Sequence, residues 1–100
     1  MASQIPFRFR QVVEDERFRA DYREALERVA DKDSLLELVS HVKWYVGRNA
    51  HVCRCIPGTK SVYVYTPRHR PGGIKLSAFF ILPDSDTVKL CSLDLEVGTG

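Results

Sequence analysis

The chain has 100 residues, of which 44% are hydrophobic and 28% are charged, and its formal net charge is +2. This length predicts a single domain over residues 1–100 that can bury a core without disulfides, and the composition excludes wholesale disorder. There is no apolar run near the ~20 residues of a membrane span, and the N-terminus lacks an apolar signal core, so we expect a soluble, cytoplasmic protein.

The N-terminal third predicts a short strand and a helix. Apolar side chains alternate with other residues over residues 5–10, and Pro6 indicates an edge strand. A helix is predicted over residues 14–30, with acidic residues in its first turn, where the helix dipole favours them. One face of this helix is apolar: Phe18, Tyr22, Ala25, Leu26 and Val29.

A second helix is predicted after a short break at residues 31–34. Ser34 and Glu37 have the spacing of a capping box, and Gly47 is a natural left-handed terminator. Because the link between the two helices is short, we expect them to form an antiparallel hairpin.

The second half predicts three strands, over residues 61–66, 74–82 and 87–97. Short turns connect them, which predicts an antiparallel meander. The apolar residues change phase between Leu90 and Leu93, so a bulge is expected near Cys91 and Ser92. The predicted fold class is α+β: an N-terminal short strand and a two-helix hairpin packed on a three-stranded antiparallel meander.

The charges are strongly segregated, since residues 38–83 contain no aspartate or glutamate. The same window holds all three histidines and seven cations: Lys43, Arg48, Arg54, Lys60, Arg68, Arg70 and Lys75. A surface of one sign attracts an anionic partner, either an acidic protein segment or a nucleic acid. The alternative is that these cations only solvate the surface.

The predicted strands bring several of these cations near two tyrosines. The candidate binding residues are Arg54, Lys60, Tyr63, Tyr65, Arg68, Arg70 and Lys75. The tyrosines are interpreted either as platforms on which bases stack or as packing neighbours that face the helices.

His69 is the candidate for catalysis, because it lies between Arg68 and Arg70. An imidazole beside two guanidiniums can act as an acid or base in phosphodiester chemistry. The sequence places no second acid or base beside it, so an ordinary exposed loop is the alternative.

His51, Cys53 and Cys55 are the candidate metal ligands, but their one-residue spacing is not that of a zinc knuckle. With Cys91, the cysteines are an odd number, which favours reduced thiols over a disulfide framework. The alternative to a metal site is a set of reduced, half-buried thiols. We expect neither a metal nor another cofactor.

Trp44 is interpreted either as an exposed interface anchor or as a cover for the end of the sheet. An alternative function is that of a small homo-oligomeric α+β module of unknown ligand, in which apolar residues left over from the core, such as Phe79, Ile81 and Trp44, lie in a self-interface.

Several local patterns carry a family resemblance. A helix end at residues 46–49 includes Asn49 and is followed by Pro57-Gly58. The central strand over residues 76–82 precedes an acidic turn at residues 84–86 and an apolar strand. With the order strand, helix, helix and meander, the chain resembles the RelE/ParE superfamily of bacterial toxins from about residue 7 to residue 97.

The resemblance implies an antitoxin as the partner. Family members that cleave mRNA on the ribosome usually carry an arginine on the central strand, where this chain has Ser77. They also place an arginine, often with a tyrosine or histidine, after the last strand, where this sequence has residues 96–100 without them. The resemblance therefore implies the non-nuclease branch, which includes inhibitors of DNA gyrase, or a relative that has lost toxicity. The alternative is an RNA-cleaving toxin that uses His69 with Arg68 and Arg70.

Overall fold

A computed structural model describes residues 9–59 and 61–97, which form an α+β domain. Its strands are β1 (Gln11–Glu14), β2 (Arg54–Cys55), β3 (Tyr63–Tyr65), β4 (Ile74–Asp84) and β5 (Thr87–Val97). Its helices are α1 (Glu16–Arg28) and α2 (Lys32–Asn49), and single 3-10 turns occupy Ala50–Val52 and Pro71–Gly73. Neither long helix in the described part of the chain could cross a membrane.

The strands form one mixed sheet in the order β1-β5-β4-β3-β2. The predicted antiparallel meander of β3, β4 and β5 is confirmed. Two features were not predicted: β1 pairs with β5 in parallel, and the two-residue strand β2 pairs with β3 at the opposite edge.

The first strand was predicted over residues 5–10, and this position was wrong for the two residues that the structure describes. Residues 5–8 lie outside the described residues, and Phe9 and Arg10 precede the strand, which covers Gln11–Glu14 instead. The amide of Asp15 donates to the carbonyl of Leu90 at 2.8 Å, which extends the pairing with β5. Because residues 11–15 are held by β5, α1 begins only at Glu16, two residues later than predicted.

The predicted ends of α2 were also wrong. Asp31, rather than Ser34, caps its N-terminus, because the Asp31 carboxylate accepts a hydrogen bond from the Ser34 amide at 3.1 Å. Gly47 does not end the helix, which continues to Asn49. The lack of a side chain at Gly47 lets the chain before β1 come close, and the Arg10 amide donates to the Gly47 carbonyl at 2.8 Å.

The core lies between the two helices and one face of the sheet. The helices contribute Phe18, Ala25, Leu35, Leu38, Val39, Val42 and Val46, and β4 and β5 contribute Ile74, Leu76, Ala78, Phe80, Val88, Leu90 and Leu95. Alternate residues of β4, including Ser77, Phe79 and Ile81, therefore face away from the helices. The predicted bulge is confirmed, since Phe79 pairs with Ser92 and Phe80 with Leu90, which leaves Cys91 as the extra residue.

Candidate anion-binding groove

The cations of residues 38–83, the range without aspartate or glutamate, have different surroundings in the structure. Lys43 forms an ion pair with Glu14, and Lys75 lies 4.0 Å from Glu96 across the β4–β5 pair. Lys60 lies outside the described residues. Carboxylates from the two flanking segments therefore accompany two of the seven cations, and these two do not add to a free positive surface.

Arg48 is held by aromatic rings. Its guanidinium carbon lies 4.6 Å from the ring centre of Phe9 and 4.7 Å from that of Trp44. It also donates a hydrogen bond to the Trp44 carbonyl at 3.2 Å. These contacts fix Arg48 on the outer surface of α2.

Arg54 and Arg68 line one groove at the β2–β3 edge of the sheet. The groove has a volume of about 540 Å³ and is bounded by Tyr45, Val52, Cys53, Arg54, Val64, Tyr65, Thr66 and Arg68. Within residues 9–59 and 61–97, no carboxylate forms an ion pair with either arginine. Both side chains are exposed, so the groove presents two uncompensated positive charges.

Arg54 and Arg68 reach the groove through different local structure. Arg54 lies on β2, where it pairs with Val64. Arg68 follows β3 by three residues, just after the buried Pro67. The nearby hydroxyls of Thr66 and Ser77 share a hydrogen bond at 2.8 Å, which ties the segment after β3 to β4.

The two candidate tyrosines pack against the core, which is the second of the two predicted interpretations. Tyr65 stacks on Tyr45 with ring centres 4.1 Å apart and an angle of 6°, and Tyr63 stacks on Phe80 at 5.6 Å. Burial raises the pKa of Tyr65, and Tyr45 and Cys53 raise it further. One face of each candidate tyrosine is thus already covered by a neighbouring ring.

Two histidines meet beside this groove. Nε2 of His41 shares a hydrogen bond of 2.7 Å with the Tyr65 hydroxyl, and the rings of His41 and His69 are 5.0 Å apart, edge to face. Burial, and then the neighbouring His69, lower the pKa of His41. This pairing joins α2 to the loop that carries Arg68 and Arg70, and both arginines are exposed.

Sequence reasoning missed His41 and Tyr45 as members of this cluster. Their four-residue spacing on α2 does indicate a shared face. That their partners would be Tyr65 and His69 depends on how α2 lies against β3, which no local pattern specifies.

The candidate metal ligands do not come together. No group of three or more histidine, cysteine or acidic side chains within the described ranges could hold a metal ion. His51 and Cys55 are exposed, whereas the half-buried Cys53 thiol donates to the Asn49 carbonyl at 3.6 Å. Burial raises the pKa of Cys53 to about 11, which disfavours the thiolate that a metal requires.

Comparison of the chain with models of known protein families and with curated proteins gives no match.

Proposed function

We propose that the protein binds an acidic segment of a partner protein in the groove of Arg54 and Arg68, as a toxin-like, RelE/ParE-type binding protein. The observation that carries the proposal is the shared position of these two arginines, neither of which is paired with a carboxylate of the described residues. A guanidinium can bind a carboxylate through two parallel hydrogen bonds, so two of them favour a chain of acidic residues.

The stacking contacts of Tyr63 and Tyr65 favour an acidic protein segment over a nucleic acid as the partner. Single-stranded nucleic acids bind where bases stack on open aromatic faces. Tyr65 stacks on Tyr45 and Tyr63 on Phe80, so one face of each candidate tyrosine is already covered and less ring surface is open to a base. An acidic peptide does not depend on stacking, because its carboxylates bind to the two arginines.

Two observations support a toxin-like protein that lacks nuclease residues. The order strand, helix, helix and meander agrees with the order on which the resemblance is based. Ser77 on the central strand shares a hydrogen bond with Thr66 and brings no cation to that position. An antitoxin with an acidic segment is the natural partner in this proposal.

The test is the binding of a fluorescein-labelled polyglutamate peptide, measured by fluorescence anisotropy at low salt. The double variant Arg54→Ala/Arg68→Ala is expected to bind at least about tenfold more weakly, because each charge-assisted hydrogen bond contributes about 1.5–3 kcal/mol. The control Arg17→Ala/Arg23→Ala removes the same charge from exposed positions of α1 and is expected to bind within about twofold of the wild type.

If both double variants lose the same affinity for polyglutamate, the net charge alone explains the loss, and the groove proposal is overturned. Tight binding of a labelled single-stranded RNA with no binding of polyglutamate would overturn the choice of partner.

RNA cleavage by His69 with Arg68 and Arg70 is a second candidate, favoured by the position of His41. Two imidazoles 5.0 Å apart can supply both the acid and the base that phosphodiester cleavage needs. This candidate expects cleavage of a labelled RNA that is lost in His69→Ala and in His41→Ala and kept in His51→Ala, with circular dichroism unchanged. The binding proposal expects none of these proteins to cleave.

A further inference from the structure

The outer face of α2 carries exposed apolar side chains at helical spacing. Leu36, Ser40 and Trp44 follow one another every four residues and therefore lie in one row. Leu36 is 46% exposed and Trp44 is 53% exposed. At the C-terminal end of the row, Arg48 links Trp44 to Phe9, which is 62% exposed. We call Leu36, Ser40, Trp44, Arg48 and Phe9 the α2 stripe.

The stripe has a symmetric arrangement about its smallest residue. Ser40 lies next to the midpoint of Lys32–Asn49, and Leu36 and Trp44 are each four residues away from it. A small side chain between two large ones leaves a shallow notch. Helices can approach to axial distances of about 8–10 Å where the side chains at the contact are small.

The charges on the same side of α2 are divided between its two ends. Lys32, Asp33 and Glu37 lie in the N-terminal half, and Lys43 and Arg48 lie in the C-terminal half, which has no acidic residue. The Lys32 ammonium donates to the Leu26 and Val29 carbonyls and Lys43 forms an ion pair with Glu14, so the charge contrast rests on Asp33, Glu37 and Arg48. A copy of this helix that runs antiparallel places acidic residues opposite basic ones at both ends. The two helix dipoles are antiparallel in that orientation, which is electrostatically favourable.

We infer that the stripe is a self-association surface, and that its occupant is α2 of a second copy of this chain. The two copies are related by a twofold axis near Ser40, so that Leu36 of each contacts Trp44 of the other and Asp33 of each pairs with Arg48 of the other. An exposed tryptophan one turn from the centre of such a contact is a typical interface anchor. This inference does not depend on the groove, which is formed by different residues.

Sedimentation velocity over a range of protein concentrations tests the inference. We expect a reversible dimer for the wild type, weakened at least about tenfold by Trp44→Ala and by Leu36→Lys. Val97→Ala removes another exposed apolar side chain, outside the stripe, and is expected to leave the dimer unchanged.

A charge exchange distinguishes this arrangement from other dimers. Asp33→Arg and Arg48→Glu each place like charges opposite one another in a homodimer, so each variant alone is expected to be mainly monomeric. An equimolar mixture of the two restores opposite charges at both ends and is expected to recover the dimer. A wild type that remains monomeric at all concentrations, a dimer insensitive to Trp44→Ala and Leu36→Lys, or a mixture without recovery would each overturn the inference.

Discussion

Single residues of the same type have very different surroundings in this protein, and the cysteines are the plainest example. Cys55 is exposed on the edge strand β2, whereas Cys53 is half-buried and its thiol donates a hydrogen bond to the Asn49 carbonyl. Burial raises the pKa of Cys53 to about 11 and also raises that of Cys91. Since the thiolate is the reactive form, a higher pKa means a less reactive cysteine at neutral pH.

We therefore predict one fast-reacting thiol in the folded protein. Burial raises the pKa of Cys53 and of Cys91, whereas Cys55 is exposed, so Cys55 is expected to react first with Ellman's reagent at pH 8. The Cys55→Ser variant is expected to lose the fast phase, and Cys53→Ser to keep it. In guanidinium chloride all three cysteines of the wild type should react. A fast phase that persists in Cys55→Ser would contradict this prediction.

Among the elements, α2 depends on a glycine for its contact with the N-terminal segment. A Cβ atom at Gly47 would lie 3.2 Å from the Arg10 carbonyl oxygen and 3.2 Å from Cγ2 of Val12. The Arg10 amide is bonded to the Gly47 carbonyl, so this segment has little freedom to move away. A larger side chain at Gly47 has to displace β1 from the helix.

We predict that Gly47→Val lowers the free energy of unfolding by about 2 kcal/mol, which is within the usual range for overpacking. Urea denaturation measures the change. Ala20→Val on the exposed side of α1 is the control, because it introduces the same β-branched residue at a helix position that is open to solvent. If Gly47→Val costs no more than Ala20→Val, the close approach of Arg10 and Val12 does not constrain this position.

The sequence predicted best those elements whose patterns are long. β4 and β5 are 11 residues each. The high apolar content of β4 and the change of phase in β5 were sufficient to predict both strands and a bulge near Cys91 and Ser92. The short strand β2 has only Arg54 and Cys55, so no period can be recognised in it. Gly47 was interpreted as a helix end because local helix signals contain no information about Arg10.

The same limit applies to the candidate groove. The absence of acidic residues from residues 38–83 predicted a positive surface, which stays a prediction. Of the seven cations in this range, Arg54 and Arg68 line the same groove. The pairing of Lys43 with Glu14 was not predictable, because it depends on β1 lying beside α2. Composition locates the cations along the chain, whereas the fold decides which of them are paired with a carboxylate.

At the scale of the whole molecule, His41 lies where α2, β3 and the loop of His69 meet. His41 shares its hydrogen bond with the Tyr65 hydroxyl and faces the rings of Trp44, Tyr45 and His69. Burial and His69 lower the pKa of His41 below its ordinary value of 6.5. The unfolded chain therefore binds a proton at this residue at a higher pH than the folded protein does.

We predict that the contribution of His41 to stability is present above pH 6.5 and is lost as the pH falls through 6.5 toward the lower pKa of the folded state. Urea denaturation at a series of pH values from 7.5 to 5 measures the loss. The His41→Gln variant keeps a hydrogen-bonding side chain but cannot take up the proton, so its stability should fall less over this range. His51→Gln removes an exposed histidine and should follow the wild type. Parallel curves for the wild type and His41→Gln would show that His41 does not couple folding to pH.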